Sequence, residues 1–337
     1  MTGYVQDGVL SSTVLAADDI YMIEPLHRYV PDPAKRHIVY RRSDLNMSQS
    51  AFFEGNTLQR LLEDQAGVLG QQRYTEAAQR SRRVFNPSQH HTCEMAMISD
   101  YLFFSNDGGS NLITTQNILI SYLDTVSSIY SRTSFDFGVG SGISVALKFL
   151  EVEDVLAQDF YNGASTTSAN DFLNHHTARN WRSYCLAHVF TRRDFDGGVL
   201  GLAWVGTPSG GSGVGICAGA TSTSYNTGIE TSVNFGASVS TLVQIITLAH
   251  EIGHNFGANH DVDGRVDSEG NPCSGLSQGN YIMYDRATDG TAPNNDVFSP
   301  CSTEDMGRVI AARAEQCFTG FFFFFFFFFW GGGGGGG

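Results

Sequence analysis

From Cys93 onward the apolar positions follow two alternating patterns. Short apolar runs predict strands at 93–98, 142–152, 184–190 and 199–205. Longer stretches with an apolar residue every third or fourth position predict helices at 111–131, 168–181, 238–256 and 303–316. In the third helix the stripe is Val239, Leu242, Ile245, Ile246 and Ala249. The fourth takes Ser302 as N-cap, with Asp305 three residues on. Strands alternating with long helices imply an α/β domain around one sheet. Upstream the pattern changes. Residues 1–45 are β-rich, with alternation in Tyr21-Met22-Ile23 and His37-Ile38-Val39-Tyr40. Residues 55–80 are polar without an apolar stripe and read as a loose helix or linker.

Charge and cysteine usage narrow the class. The chain has 337 residues and a net charge of −14. Residues 1–83 hold ten Lys/Arg and ten Asp/Glu, so the whole excess lies beyond them. An acidic body without a basic stripe excludes nucleic acid and anionic membrane surfaces as partners. Six cysteines, Cys93, Cys185, Cys217, Cys273, Cys301 and Cys317, include no C-x-x-C pair. They suit three disulfides in an oxidising compartment, and spacing leaves all 15 pairings open. Met1-Thr2-Gly3-Tyr4 does not resemble a signal peptide, so the chain is read as an internal fragment of a secretory-pathway protein. Asn46-Met47-Ser48 is a glycosylation sequon. Residues 321–337 are nine Phe, one Trp and seven Gly, which a run of T switching to G would encode. This tail is taken as a sequence-end artefact and left out of the fold; nine Phe are too few to span a bilayer.

The chemistry is concentrated in His250-Glu251-Ile252-Gly253-His254-Asn255-Phe256-Gly257-Ala258-Asn259-His260. This is H-E-x-x-H-x-x-G-x-x-H, far more specific than a bare H-E-x-x-H. His250 and His254 share one helix face, so two imidazoles can reach one ion. Gly257 allows the turn that returns His260 as third ligand. Three ligands leave an open zinc position, and Glu251 stands where its carboxylate can deprotonate water. The competing reading is three unrelated histidines on a buried helix. Met283, in Tyr281-Ile282-Met283-Tyr284, lies at the distance of a Met-turn. The glycine-rich run Ser209–Gly215 lacks the G-K-[ST] ending of a phosphate loop and is expected to be a flexible loop tied down by Cys217. His90-His91 and His175-His176 are read as surface pairs without metal. Arg80, Arg82 and Arg83 form R-x-R-R, the pattern cut by furin-like convertases; a solvated basic patch is the competing reading.

Taken together, Cys185-Leu186-Ala187-His188, Asp194-Phe195-Asp196, Val199–Gly206, His250–Asp261 and Asn280–Tyr284 resemble the adamalysin-type metalloproteases, the ADAMs. The likeness is strongest to their sheddase branch, which holds tumour-necrosis-factor-converting enzyme and kuzbanian. Asp261 after the third histidine is the adamalysin choice among metzincins. Ile23-Glu24-Pro25-Leu26 resembles the end of a family prodomain. The resemblance covers roughly residues 15–318 and implies a metzincin fold. That fold has a mixed five-stranded sheet, long helices, and a zinc cleft between a large upper and a small lower subdomain. It implies disulfides Cys93–Cys185, Cys217–Cys317 and Cys273–Cys301. It implies an edge strand, Gly201, Leu202, Ala203 and Trp204 through Val205, that binds substrate backbone, and an S1′ wall at 281–287 that includes Tyr281 and Ile282. The domains would be 1–83, the end of a prodomain, and 84–320, the catalytic domain. No cysteine precedes Cys93, so a prodomain thiol cannot block zinc within this stretch.

The expected function is a zinc endopeptidase with Glu251 as general base, acting on polypeptides and, by resemblance, on membrane-protein ectodomains at the cell surface. A membrane link would come only through segments outside this chain. The alternatives are a zinc-bearing adhesion module without turnover and a soluble secreted reprolysin.

Overall fold

Four short strands, β1 (Thr2–Gln6), β2 (Val9–Leu15), β3 (Ile20–Pro25) and β4 (His37–Arg41), form an antiparallel sheet in chain order. The computed structural model describes residues 2–6, 9–15, 20–25, 37–41, 91–209, 213–288 and 292–320. Arg80–Arg83, the polar segment 55–80 and the tail 321–337 lie outside the described residues. The alternation at Tyr21-Met22-Ile23 is the alternation of a strand: Met22 is buried in the large core of the following domain, with its neighbours half-exposed.

The main sheet contains β5 (Thr92–Ser99), β6 (Ser144–Val152), β7 (Leu186–Thr191), β8 (Gly201–Ala203) and β9 (Thr227–Thr231), in the order β6-β5-β7-β9-β8. β6, β5, β7 and β9 run parallel, and β8 runs antiparallel to β9 at the edge. Helices cover both faces, so the inner strands are buried on both sides. Met95 and Met97 of β5 join one core with helix α2 (Leu112–Arg132), while Ala96 and Ile98 join a second core with α3 (Ala169–Thr177). β7 repeats this, with Leu186 and Phe190 on one side and Ala187 and Val189 on the other. A short helix α1 (Tyr101–Asn106) follows β5. A two-stranded hairpin, β10 (Val233–Asn234) and β11 (Ala237–Ser238), leads into α4 (Thr241–Asn255). α5 (Pro300–Arg313) closes the domain. Among the described residues no helix is long and apolar enough to cross a membrane.

The expected α/β architecture and mixed five-stranded sheet are present, with local corrections. β9 was not read as a strand. Its sequence, Thr-Gly-Ile-Glu-Thr, has no apolar run, yet every residue is buried. Its polar groups find buried partners instead: Thr227 meets the Thr177 hydroxyl at 2.8 Å, and Thr231 donates to the Arg193 carbonyl at 2.6 Å. The last helix starts at Pro300, not after Ser302. The Ser299 hydroxyl caps it by accepting from the Ser302 amide at 3.0 Å, and Pro300 sits where no amide donor is needed. His175-His176 is not a surface pair. His176 is buried; its Nε2–H donates to the Ala187 carbonyl at 3.0 Å, and its Nδ1 accepts from Tyr161 Oη at 2.7 Å. Burial holds its pKa well below the usual value, so it is a neutral core residue. His91 is also buried, beside the Thr92 hydroxyl.

Three disulfides lock this frame: Cys93–Cys185, Cys217–Cys317 and Cys273–Cys301. They are the pairings the resemblance implied. The first joins neighbouring strands. The second closes a separation of 100 residues and joins Cys217 to Cys317, just after α5. The third ties the loop after His260 to the start of α5.

Candidate metal centre

α4 runs through the middle of the domain and is buried on every side. Its N-cap is Ser240, whose hydroxyl accepts from the Val243 amide at 3.4 Å. His250, Glu251 and His254 lie on its last turns. The helix stops at Asn255, and Gly257 follows with φ of 107°. A Cβ at Gly257 would lie 2.4 Å from Val309 Cγ2. Backbone angle and space therefore both require glycine here. The turned chain brings His260 back toward the helix.

The three rings converge. His260 Nε2 lies 3.2 Å from His250 Nε2 and 3.1 Å from His254 Nε2. The other nitrogens explain what this means. His250 Nδ1 is 2.7 Å from the Ile282 carbonyl, and His254 Nδ1 is 2.8 Å from the Ala258 carbonyl. A carbonyl only accepts, so both Nδ1 atoms carry the proton. The Nε2 atoms of His250 and His254 then each present a lone pair toward His260 Nε2. Burial, reinforced by the charge of the neighbouring imidazoles, holds His250 well below the ordinary histidine pKa and pushes His254 down to about 3. Neutral imidazoles with convergent lone pairs are a divalent-cation donor set. Tetrahedral geometry with zinc–nitrogen bonds of about 2.0–2.1 Å would separate ligand nitrogens by about 3.3 Å, close to the spacing found. The residues therefore fit a zinc ion. The sulfurs of Cys185, Cys217 and Cys317 also cluster, but all three are held in disulfides.

Glu251 completes the centre. It is buried, and neither carboxylate oxygen has a hydrogen-bond partner. Burial, then the charge of Glu230, pushes its pKa well above the ordinary range. An acid kept this way is suited to accept and return a proton. β8 lies directly against it: a Cβ on Gly201 would fall 2.5 Å from Glu251 Oε1 and 2.7 Å from its Cγ.

The segment 281–284 supports the centre in two ways. The Ile282 carbonyl orients the His250 ring, and the Met283 carbonyl accepts from the Asp261 amide at 2.8 Å. Met283 is buried and packs against Gly253, where an added Cβ would meet its sulfur at 2.5 Å. The Ile282 side chain is buried in the large core, and Tyr281 is half-exposed. Asp261 is buried and accepts from the Ser299 and Ser302 hydroxyls at 2.6 and 3.2 Å. Of the edge strand, Gly201, Leu202 and Ala203 pair with Glu230, Ile229 and Gly228. The Trp204 ring is buried and donates to the Thr177 hydroxyl at 2.9 Å.

The sequence reading missed one buried network. His188 Nε2 donates to Asn255 Oδ1 at 2.7 Å, and Asn255 Nδ2 donates to the Trp204 and Thr227 carbonyls. His188 Nδ1 is hydrogen-bonded to Glu230 Oε1 at 2.6 Å. Asn255, next to His254, thus ties the end of α4 to the sheet. The only signal in the sequence was its position inside the histidine motif.

Comparison with known proteins agrees with this geometry. The family described as "Metallo-peptidase family M12B Reprolysin-like" matches residues 112–312, more than half of the chain. Human disintegrin and metalloproteinase domain-containing protein 10 is 32% identical over 94% of this chain and 45% of its own length. The Caenorhabditis elegans homolog of that protein is 36% identical over 65% of this chain and 26% of its own length. The C. elegans homolog of domain-containing protein 17 is 27% identical over 67% of this chain and 37% of its own length. The chain spans less than half the length of each of these relatives. With the family matched across α2 to α5, and the histidine centre lying within that match, the chain belongs to the reprolysin-like M12B metallopeptidases, in the ADAM family.

Proposed function

We propose that this chain is the catalytic part of a zinc-dependent endopeptidase that releases ectodomains of membrane proteins, with Glu251 as general base. The observation that carries the reading is the approach of His260 Nε2 to within 3.1–3.2 Å of the Nε2 atoms of His250 and His254, with the buried, unpartnered Glu251 carboxyl on the same helix. His250, His254 and His260 would hold the ion. A bound zinc supplies Lewis acidity to the scissile carbonyl and lowers the pKa of water at the site. The Glu251 carboxylate takes the proton of the attacking water and delivers it to the leaving amine. Substrate backbone adds to the outer edge of β8, the last strand of the sheet, whose other side pairs with β9. Trp204 anchors the end of that strand, and residues 281–287, beginning at Tyr281 and Ile282, wall the pocket for the side chain after the cleaved bond. Gly201 of β8 lies against Glu251 near the end of α4, which supports an extended peptide on β8 running beside the acid.

Residues 84–320 form the catalytic domain in this reading, and 1–83 the end of a prosegment. Cleavage at Arg80–Arg83 by a furin-like convertase would separate them. The ectodomain substrates rest on the ADAM relatives alone. The buried acid and the intact histidine triad favour turnover over a silent adhesion role, since burying an unpartnered carboxylate is costly without chemistry to use it. Treatment with a strong chelator is expected to abolish cleavage of a quenched peptide library, and added zinc to restore it. Undiminished cleavage by fully stripped protein would rule the reading out.

A further inference from the structure

Each of the two helical ligands is held by a hydrogen bond from its Nδ1 to a backbone carbonyl. His260 comes from a loop, and its backbone is held differently. Arg265 Nη1 lies 3.2 Å from the Asn259 carbonyl and 3.2 Å from the His260 carbonyl. Its Nη2 pairs with Asp305 on α5. The same Asp305 oxygen accepts from the Asn259 amide and from Asn259 Nδ2, both at 3.1 Å. α5 is in turn fastened to this loop at two further places. Glu304 accepts from the Ser268 amide at 2.7 Å, and Cys301 is bonded to Cys273.

Resting on the zinc-site reading above, we propose that Arg265 and Asp305 are positioning residues for the third metal ligand. The guanidinium grips the carbonyls before and after the His260 Cα, and α5 supplies the fixed point. The planar fork of arginine suits this: one head reaches two carbonyls and a carboxylate together, which a lysine ammonium cannot match in fixed geometry. Neither side chain touches β8 or Glu251 in the described contacts, so the device acts on the ligand and not on substrate. It also lies in the loop, where backbone freedom is greatest and a clamp changes ligand geometry most.

The test is zinc affinity, measured on the full chain by competition with a fluorescent chelator, together with kcat and KM of the zinc-saturated protein. Arg265→Met keeps the aliphatic stem and leaves Asp305 its two bonds from Asn259, so the domain should fold. Its zinc affinity is expected to fall about 10–100-fold, as for loss of other groups that orient metal ligands. KM should stay unchanged at saturating zinc. Arg265→Lys should recover part of the loss, and Asp305→Asn should fall between it and the parent. An affinity of Arg265→Met within about twofold of the parent overturns the proposal. So does a variant that melts earlier by the same amount with and without zinc while binding the ion as tightly, since that marks a purely structural pair. If the parent itself binds no zinc, the zinc-site reading fails instead, and the two failures are told apart.

Discussion

Glu251→Ala is expected to remove peptide cleavage while leaving one zinc bound. Loss of a positioned general base lowers kcat by about 10²–10⁴-fold, or roughly 3–5.5 kcal/mol of barrier. The metal should stay because Glu251 supplies none of the three converging nitrogens, two of whose rings are set by the Ile282 and Ala258 carbonyls. Stability adds a second, independent readout. The Glu251 carboxyl is buried without a hydrogen-bond partner, so in the metal-free protein its ionised form is disfavoured and its burial is costly. Glu251→Gln removes that cost at nearly constant shape. It should therefore melt no lower than the parent, and higher if strain is stored at the centre. Calorimetry of the metal-free proteins checks this. A Glu251→Ala variant with full turnover would exclude the acid from the mechanism.

Gly201→Ala should have the next largest effect, although it adds one methyl to a residue that binds no metal. The new Cβ would stand 2.5 Å from Glu251 Oε1, 2.7 Å from Glu251 Cγ and 2.8 Å from Thr247 Cγ2. Real atoms do not approach so closely. Either the carboxylate swings away or β8 lifts off α4, and both move the acid relative to the peptide. A displacement of about 1 Å at a reacting group can cost about 10²-fold in rate. The prediction is a kcat lower by that order, with zinc content intact and about 1–3 kcal/mol of overpacking in stability. Steady-state kinetics with metal analysis decides it, and an unchanged kcat would show that β8 does not constrain Glu251.

These two residues show how far a sequence can be read. The place of Glu251 was legible because it is written in local spacing: the helix period places His250, Glu251 and His254, and Gly257 supplies the turn. The longer helices were legible for the same reason. The closeness of Gly201 to Glu251 was not, because it joins positions 50 apart through the sheet edge. β9 was hidden because its Thr and Glu residues are buried with polar partners, and composition treats such residues as surface. His176 was misread on the same ground, since two adjacent histidines look solvated until Tyr161 and the Ala187 carbonyl are placed around one of them. Ile282 was assigned through its side chain, while its carbonyl is the group that meets His250. The start of α5 was misplaced by three residues because Ser299 and Ser302 are both good caps, and Pro300 between them tips the choice.

The central claim is that three imidazoles share one ion, and the direct measurement is metal content with a zinc-edge anomalous map of the purified, oxidised chain. The account predicts one zinc per chain, with the anomalous peak bonded to Nε2 of His250, His254 and His260. Protein that folds and carries no stoichiometric metal, or a peak away from those three nitrogens, would contradict it.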